Sequence, residues 1–510
     1  MRYGFVIDHN RCIGCHACTV ACKEEHNVPL GVYRTWVKYI EEGQFPNAKR
    51  HFGVLRCNHC DAAPCIEICP TVALFRRPDG IVDFDNERCI GCKSCMQACP
   101  YDALYIDPST HTAAKCNFCA HRVDVGLQPA CVIVCPEQAI IAGDLDDPTS
   151  DASRILATQR VSLRKPEKET RPKLYYVGIN QDLLQPTALE PQTTHFWADK
   201  NPAEDLYALS NQARPAALRG APREVYDVSH LPPWGGKIAA YLWTKSIAAG
   251  TLWVAGILLA LGFDGNLSLF RLTAPAIALA FTLVTVFLLV IDLKRPERFH
   301  YLLLKPNLKS WLVLGGYILM VYSGLALGWF FYGRSYGAVP TSLVVFASVL
   351  AAGSACYSAF LFAQAKGREL WQSRLFFWNL LVQATTAGSA VLLVCAISLE
   401  AEATVINTLA KLLAISLVVS VGIIGGEIGL KPGNEELRRA TDLLKRGPLK
   451  ESFWAGAMGL GVLLPLVLLV ASGFRAEADV AYLLAALFAL IGIWIFEDLW
   501  IKAGQAVPLS

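Results

Sequence analysis

"RCIGCHACTVAC" at residues 11–22 and "RCIGCKSCMQAC" at residues 88–99 are the same phrase written twice. Each phrase spaces four cysteines alike: Cys12, Cys15, Cys18 and Cys22, then Cys89, Cys92, Cys95 and Cys99. Two looser groups lie around them. One is Cys57, Cys60, Cys65 and Cys69. The other is Cys116, Cys119, Cys131 and Cys135, with the long gap "CAHRVDVGLQPAC" at 119–131. The openings of these two also echo each other, "RCNHC" at 56–60 and "KCNFC" at 115–119. Sixteen of the eighteen cysteines thus lie between residues 12 and 135, and Cys356 and Cys395 stand apart.

An even cysteine count in a compact segment can signal disulfides, but disulfide frameworks do not repeat C-x2-C-x2-C-x3-C. Zinc ribbons pair C-x2-C units without the close third and fourth thiolates. The remaining reading is the bacterial ferredoxin run, which holds [4Fe–4S] clusters and lends its fourth thiolate to a neighbouring cluster. Pro70, Pro100 and Pro136 follow three of the groups, and Lys23 follows the first. Sixteen thiolates make four cubanes with no ligand position missing. Four clusters in series serve to move electrons between distant partners. The short stretches "GVLRC", "GIVDFD" and "ALYID" suit an α+β double-ferredoxin domain. So many clusters leave little room for an apolar core, so the metal itself should hold this domain together.

The chain has 510 residues, too many for one ordinary domain. A net charge of +3 gives no footprint for nucleic acid. Apolar residues make up 54 % and mean hydropathy is +0.36, an excess concentrated beyond residue 237. The start, "MRYGFVIDHNRC", has no basic n-region, apolar h-region or twin arginine, so it does not read as a secretory signal. We therefore expect an iron–sulfur domain at 1–180, an extended linker at 181–236 and an all-α membrane domain at 237–510. The stretch 143–236 is rich in proline and charge. It reads either as a tether or as an arm that wraps a domain, with one strand at "KLYYVG" (173–178).

Eight apolar runs long enough to cross a bilayer lie near 238–262, 270–292, 308–332, 340–364, 374–398, 404–426, 453–475 and 478–501. Trp234, Trp311, Trp371 and Trp500 sit near run ends, as interfacial anchors do. With eight spans, the cysteine domain shares its side with loops 2–3, 4–5 and 6–7. Those carry Lys294, Arg295, Arg298, Lys305 and Lys309; Lys366, Arg368 and Arg374; and Lys431, Arg438, Arg439, Lys445, Arg446 and Lys450. The opposite loops carry Arg271, Arg334 and Arg475. The positive-inside rule then turns the cysteine domain to the cytoplasm. These basic loops could instead hold an acidic docked partner. Charged and strongly polar residues within spans are functional candidates. Here they are Lys245, Asp292, Asn379, Gln383, Lys411 and Glu427, with snorkelling to an interface the plainer reading for the two lysines. Cys356 and Cys395 read as small packing residues.

The four cysteine groups resemble the electron-transfer subunits of molybdopterin oxidoreductases of the polysulfide and dimethyl sulfoxide reductase type. The resemblance covers about residues 1–180. It implies that Cys12, Cys15, Cys18 and Cys135 hold one cluster, and Cys22, Cys116, Cys119 and Cys131 the next. It also implies that Cys57, Cys60, Cys65 and Cys99 hold the third, and Cys69, Cys89, Cys92 and Cys95 the fourth. The stretch "DLKRPERFHYLLLKPNLKSW" at 292–311 resembles the NrfD/PsrC membrane subunits, with Lys294 where that family usually has glycine. Two subunits that are usually separate are fused. The resemblance implies two four-helix bundles without haem, quinone binding on the side of the nearest cluster, and a separate molybdopterin catalytic subunit. It also implies residence in a bacterial or archaeal inner membrane. Tyr241, Lys245, Asp292, Arg295 and His300 have chemistry suited to a quinone. The competing expectations are a nickel–iron hydrogenase or cytochrome c partner, and a redox-coupled ion-translocating subunit with Lys411 and Glu427 in the path.

Overall fold

The computed structural model of the protein describes residues 1–189, 206, 222–263, 268–429, 433–475 and 478–510. The cysteine-rich half is α+β. Its largest sheet has four strands in the order β8 (Ile140–Asp144), β1 (Tyr3–Asp8), β10 (Leu174–Val177), β9 (Val161–Ser162). Strand β1 runs parallel to β10, with Phe5 opposite Leu174, and antiparallel to β8. A second sheet pairs β2 (Thr35–Glu42) with β3 (Lys49–Arg56) and with β11 (Arg223–Tyr226). Two hairpins, β4–β5 (Leu74–Arg76, Val82–Phe84) and β6–β7 (Leu104–Ile106, Ala113–Lys115), complete it. The expected strands around 53–57, 80–85, 103–107 and 173–178 coincide with β3, β5, β6 and β10.

The repeated phrase folds into a repeated backbone. Gly14 and Gly91 take φ of +71° and +68°, and His16 and Lys93 take +60° and +64°. Two left-handed residues so close together reverse the chain, and glycine reaches that region without strain. A short helix then starts, at Ala17 and at Ser94, which puts Cys18 and Cys95 in its first turn. Most of the thiols, Cys18 and Cys95 among them, are buried with Phe5, Ile40, Val54, Ile68, Tyr101 and Phe118, so sulfur atoms form much of the core.

The stretch after 143 wraps the domain over its described part. It forms a helix at Asp151–Thr158, then β9 and β10. Most of the linker expected at 181–236 (190–205 and 207–221) lies outside the described residues. Its end does not hang free: β11 joins the sheet, and Lys38 pairs with Glu224 at 2.9 Å and with Asp227 at 3.0 Å.

Among the described residues, eight helices are long and apolar enough to cross a membrane. They are spans 1 (Gly236–Ala260), 2 (Leu269–Asp292), 3 (Trp311–Tyr336), 4 (Thr341–Gln364), 5 (Phe376–Ser398), 6 (Ala403–Gly429), 7 (Ser452–Ala471) and 8 (Asp479–Ala506). Spans 1–4 pack as one group and spans 5–8 as another, joined mainly where span 1 meets span 5. At that crossing a Cβ on Gly250 would strike the Ala384 carbonyl, and one on Gly388 would strike the Gly250 carbonyl. Small residues let two helix backbones touch in this way.

The tryptophans differ from expectation. Trp371 and Trp500 are fully buried and Trp234 nearly so, while Trp311 stacks on Phe360. Trp234 stacks on Trp371 with ring centroids 5.6 Å apart. Span ends on this side meet the cysteine half rather than a lipid–water boundary, so aromatic residues there form a protein seam instead of interfacial anchors.

Candidate functional site

The sixteen thiols between residues 12 and 135 gather into four sets of electrostatic neighbours. Cys12 lies beside Cys15, Cys18 and Cys135. Cys22 lies beside Cys116, Cys119 and Cys131. Cys57, Cys60, Cys65 and Cys99 are neighbours, as are Cys69, Cys89, Cys92 and Cys95. The sets also touch in order. Cys18 feels Cys131, Cys116 feels Cys57, and Cys95 feels Cys65. Burial, then the neighbouring thiols, pushes Cys92 up to about 12; burial and Cys131 push Cys18 to about 11. Buried thiolates that repel one another need cations among them, and iron supplies these. A partly open hollow lined by Cys12, Cys15, Cys18 and Cys135 lies at the first set. The donor chemistry and the hollow therefore fit iron–sulfur clusters.

The two ends of this series differ. Cys15 is exposed, and Ile13 beside it is 56 % exposed. The fourth set is sealed against the membrane half. Asn307 Nδ2 donates to the Cys69 carbonyl at 2.8 Å, and Arg298 Nη1 to that of Cys89 at 3.1 Å. Trp234 Nε1 donates to the Cys92 carbonyl at 3.3 Å. Asp292 closes span 2 by pairing with Lys93 at 2.7 Å. Arg295 Nε donates to the Thr110 carbonyl at 2.8 Å. Arg368 and Gln505 reach Gln97 from two other membrane segments.

Inside the membrane half a polar cluster lies among spans 1, 4 and 8. Lys245 is fully buried. Its Nζ donates to the Ala355 carbonyl at 2.8 Å and to Ser358 Oγ at 2.7 Å. The Tyr241 hydroxyl bonds the Tyr357 hydroxyl at 2.5 Å and Ser358 Oγ at 2.7 Å. Glu497, 2 % exposed, faces Lys245, and neither of its oxygens has a hydrogen-bond partner among the described residues. From Cys92, aromatic rings lead inward: Trp234 and Trp371, Phe362, Phe376, then Trp500 and Phe496.

Of the five residues with quinone-like chemistry, the structure brings Tyr241 and Lys245 together. Asp292 and Arg295 belong to the seam, and His300 is exposed against Tyr301. Lys245 points inward, whereas Lys411 is exposed and suits snorkelling. Asn379 Nδ2 meets Glu427 Oε2, and Gln383 Nε2 meets Asn379 Oδ1, each at 3.4 Å. Cys356 packs between spans with its Sγ 3.8 Å from the Phe377 carbonyl. Glu497, Tyr357 and Ser358 were not singled out from the sequence. Glu497 could have been, as a carboxyl inside an apolar run; the other two are polar types common in any span.

The class defined here is an iron–sulfur electron carrier joined to an eight-span membrane protein. Residues 224–508 match the polysulphide reductase NrfD family, and the protein belongs to that family. Ahead of it, residues 49–145 match a 4Fe-4S dicluster domain and residues 9–28 a 4Fe-4S binding domain. The sequence is 45 % identical over 190 residues to a tetrathionate reductase subunit of Salmonella typhimurium, covering 36 % of this chain and 76 % of the relative. It is 41 % identical over 179 residues to a polysulfide reductase polypeptide of Wolinella succinogenes, covering 34 % and 94 %. It is 36 % identical over 264 residues to a putative dimethyl sulfoxide reductase iron-sulfur subunit of Halobacterium salinarum, covering 45 % and 96 %. One polypeptide therefore fuses an iron–sulfur subunit of this kind with an NrfD membrane domain.

Proposed function

We propose that this chain is the electron-transfer and membrane-anchor subunit of a molybdopterin oxidoreductase complex. It connects a separate catalytic subunit to membrane quinone through four [4Fe–4S] clusters. The observation that carries this reading is the polarity of the thiol series. It is exposed at Cys15, sealed against the membrane half at Cys92, and followed by the buried Lys245 cluster. The relatives are named as parts of reductases, which supports a catalytic partner at the exposed end. Residues 1–180 carry the clusters, 181–236 connect, and 237–510 anchor.

The four thiol sets are the cluster ligands, in the order Cys12/15/18/135, Cys22/116/119/131, Cys57/60/65/99, Cys69/89/92/95. Bound clusters supply one-electron transfer along that order. At the membrane end, Lys245 and the hydroxyls of Tyr241 and Tyr357 donate to a quinone carbonyl oxygen. Glu497 exchanges a proton at its carboxylate. Asp292 and Arg295 hold the seam that keeps the fourth set against this site.

The complex sits in the inner membrane with the thiol half in the cytoplasm. Arg295, Arg298, Arg368 and Arg439 bond carbonyls of other segments and so have structural tasks. Setting them aside, the near-side loops still hold far more basic residues than the three on the far side.

The test is metal and protein analysis of the complex, gently solubilised and pulled down through this chain. Four cubanes give about sixteen irons per chain, together with a molybdenum- or tungsten-bearing large subunit. A hydrogenase or multihaem cytochrome in its place overturns the partner. A second reading, redox-coupled ion translocation, is favoured by the line Glu427–Asn379–Gln383. That line ends at a hollow among spans 5–8 that Gln383 lines. Glu427→Gln in proteoliposomes then abolishes proton translocation while quinone turnover persists.

A further inference from the structure

The echo between "RCNHC" and "KCNFC" has a structural counterpart. His59 and Phe118 occupy the same place in the two loops, and both have left-handed backbones, with φ of 44° and 63°. Their rings meet edge to face, 5.4 Å between centroids at 82°. The loop of the third thiol set therefore packs directly on the loop of the second.

The basic residue ahead of each loop crosses to the other set. Arg56 leads into Cys57 of the third set, yet its Nη1 donates to Cys131 Sγ of the second set at 3.1 Å. It also lies beside Cys116 and Cys18, and its guanidinium covers the Phe5 ring at 4.6 Å. Lys115 leads into Cys116 of the second set and lies beside Cys65 of the third. Its Nζ donates to the carbonyls of Val82 and Cys116. Both residues are fully buried. Among the described residues neither has a carboxylate partner, and Arg56 Nε and Nη2 have no partner at all. The cation beside the fourth set differs: Lys93 is neutralised by Asp292.

A buried cation without a counter-charge is costly. The candidates for that charge here are the sulfur ligands. A cubane held by four thiolates is an anion, and reduction adds one more negative charge. A fixed cation beside it favours the reduced state, which raises the reduction potential.

We propose that Arg56 and Lys115 are crossed counter-cations that raise the reduction potentials of the two inner clusters above what their thiolates alone would set. They make the middle of the electron path accessible without any residue changing its protonation. This rests on the four-cluster reading above.

The test uses the full chain in detergent, comparing wild type with Arg56→Gln, Lys115→Met and Arg56→Lys by iron content and EPR-monitored redox titration. In Arg56→Gln and Lys115→Met, the reduction equilibrium of inner clusters falls at least tenfold, about 59 mV for one electron. The fourth cluster holds its potential in both variants, and the first, which Arg56 reaches only at Cys18, shifts less than the inner two in Arg56→Gln and not at all in Lys115→Met. Arg56→Lys keeps the charge and shifts less than half as far. Unmoved potentials at full iron content overturn the proposal. So does an equal shift of all four clusters, or an Arg56→Lys shift matching that of Arg56→Gln. If Arg56→Gln loses iron, Lys115→Met and Arg56→Lys decide by the same criteria. Wild-type iron well below sixteen per chain would tell against the four-cluster reading instead, so the two failures are distinct.

Discussion

Lys245 shows what a single residue can reveal. A lysine inside an apolar run stands out because burying an ammonium is expensive, so it marks either a site or a snorkelling side chain. The sequence left the two open. The structure turns Nζ inward onto Ala355 and Ser358, away from any surface. Hydrogen bonds to a charged group contribute about 1.5–3 kcal/mol. Losing one in a transition state therefore slows a step roughly tenfold or more. Lys245→Met should slow oxidation of the dithionite-reduced protein by a soluble quinone by about that factor, while every cluster remains reducible. Stopped-flow absorbance at the cluster bands reads this, and unchanged kinetics would remove Lys245 from the quinone site. Cys95→Ala removes a buried thiol of the proposed fourth set. Iron per chain should fall by roughly four or the cluster should convert, and quinone should no longer oxidise the remaining clusters. The cysteine pattern was legible because ligand spacing is local. Which side chains meet Lys245 was not, since Ser358 and Glu497 come from spans far away in sequence.

At the scale of elements, span existence and length were legible because bilayer thickness fixes how many apolar residues a helix needs. Span 4 was expected near 340–364 and is found at Thr341–Gln364. What could not be read was which faces meet. Trp234 and Trp371 look like lipid anchors in sequence because the same aromatic types serve both boundaries, and only the docked cysteine half makes them a seam. Gly250 and Gly388 carried no signal among 38 glycines, yet their backbones touch where the two helix groups join. Overpacking at such a site costs about 1–3 kcal/mol. Gly388→Val should lower the thermal midpoint in detergent and loosen spans 5–8 from spans 1–4, with the soluble cluster signals unchanged. At the seam, Gly91 leaves no room for a Cβ: one would lie 2.5 Å from Lys294 Cβ. Gly91→Val should lift the fourth set from the membrane half and slow quinone-linked electron transfer. The comparison with dithionite reduction of the same variant isolates that step.

For the whole molecule, the seam changes how the charge asymmetry is weighed. A basic loop can exist to face the cytoplasm or to hold a docked domain, and sequence counts the two alike. The structure separates them. Arg298 spends its guanidinium on the carbonyls of Asn86 and Cys89, so its charge is explained by docking. Lys450 is exposed and makes no seam contact, and Arg438 pairs within its own helix with Glu435. Such residues are left for the translocation bias to explain. Ser510 is held on the same side, because Lys38 Nζ donates to its carbonyl at 2.9 Å. The far side is marked by Tyr336, 73 % exposed at the end of span 3. In intact spheroplasts an impermeant maleimide should therefore label Tyr336→Cys at once and Lys450→Cys only after permeabilisation. The reverse pattern would place the clusters outside. The charge bias would then belong to partner docking, and export would depend on a signal carried by the catalytic subunit. Either result also fixes the side on which the quinone proton is taken up or released, because Lys245 and Glu497 lie toward the seam and not toward Tyr336.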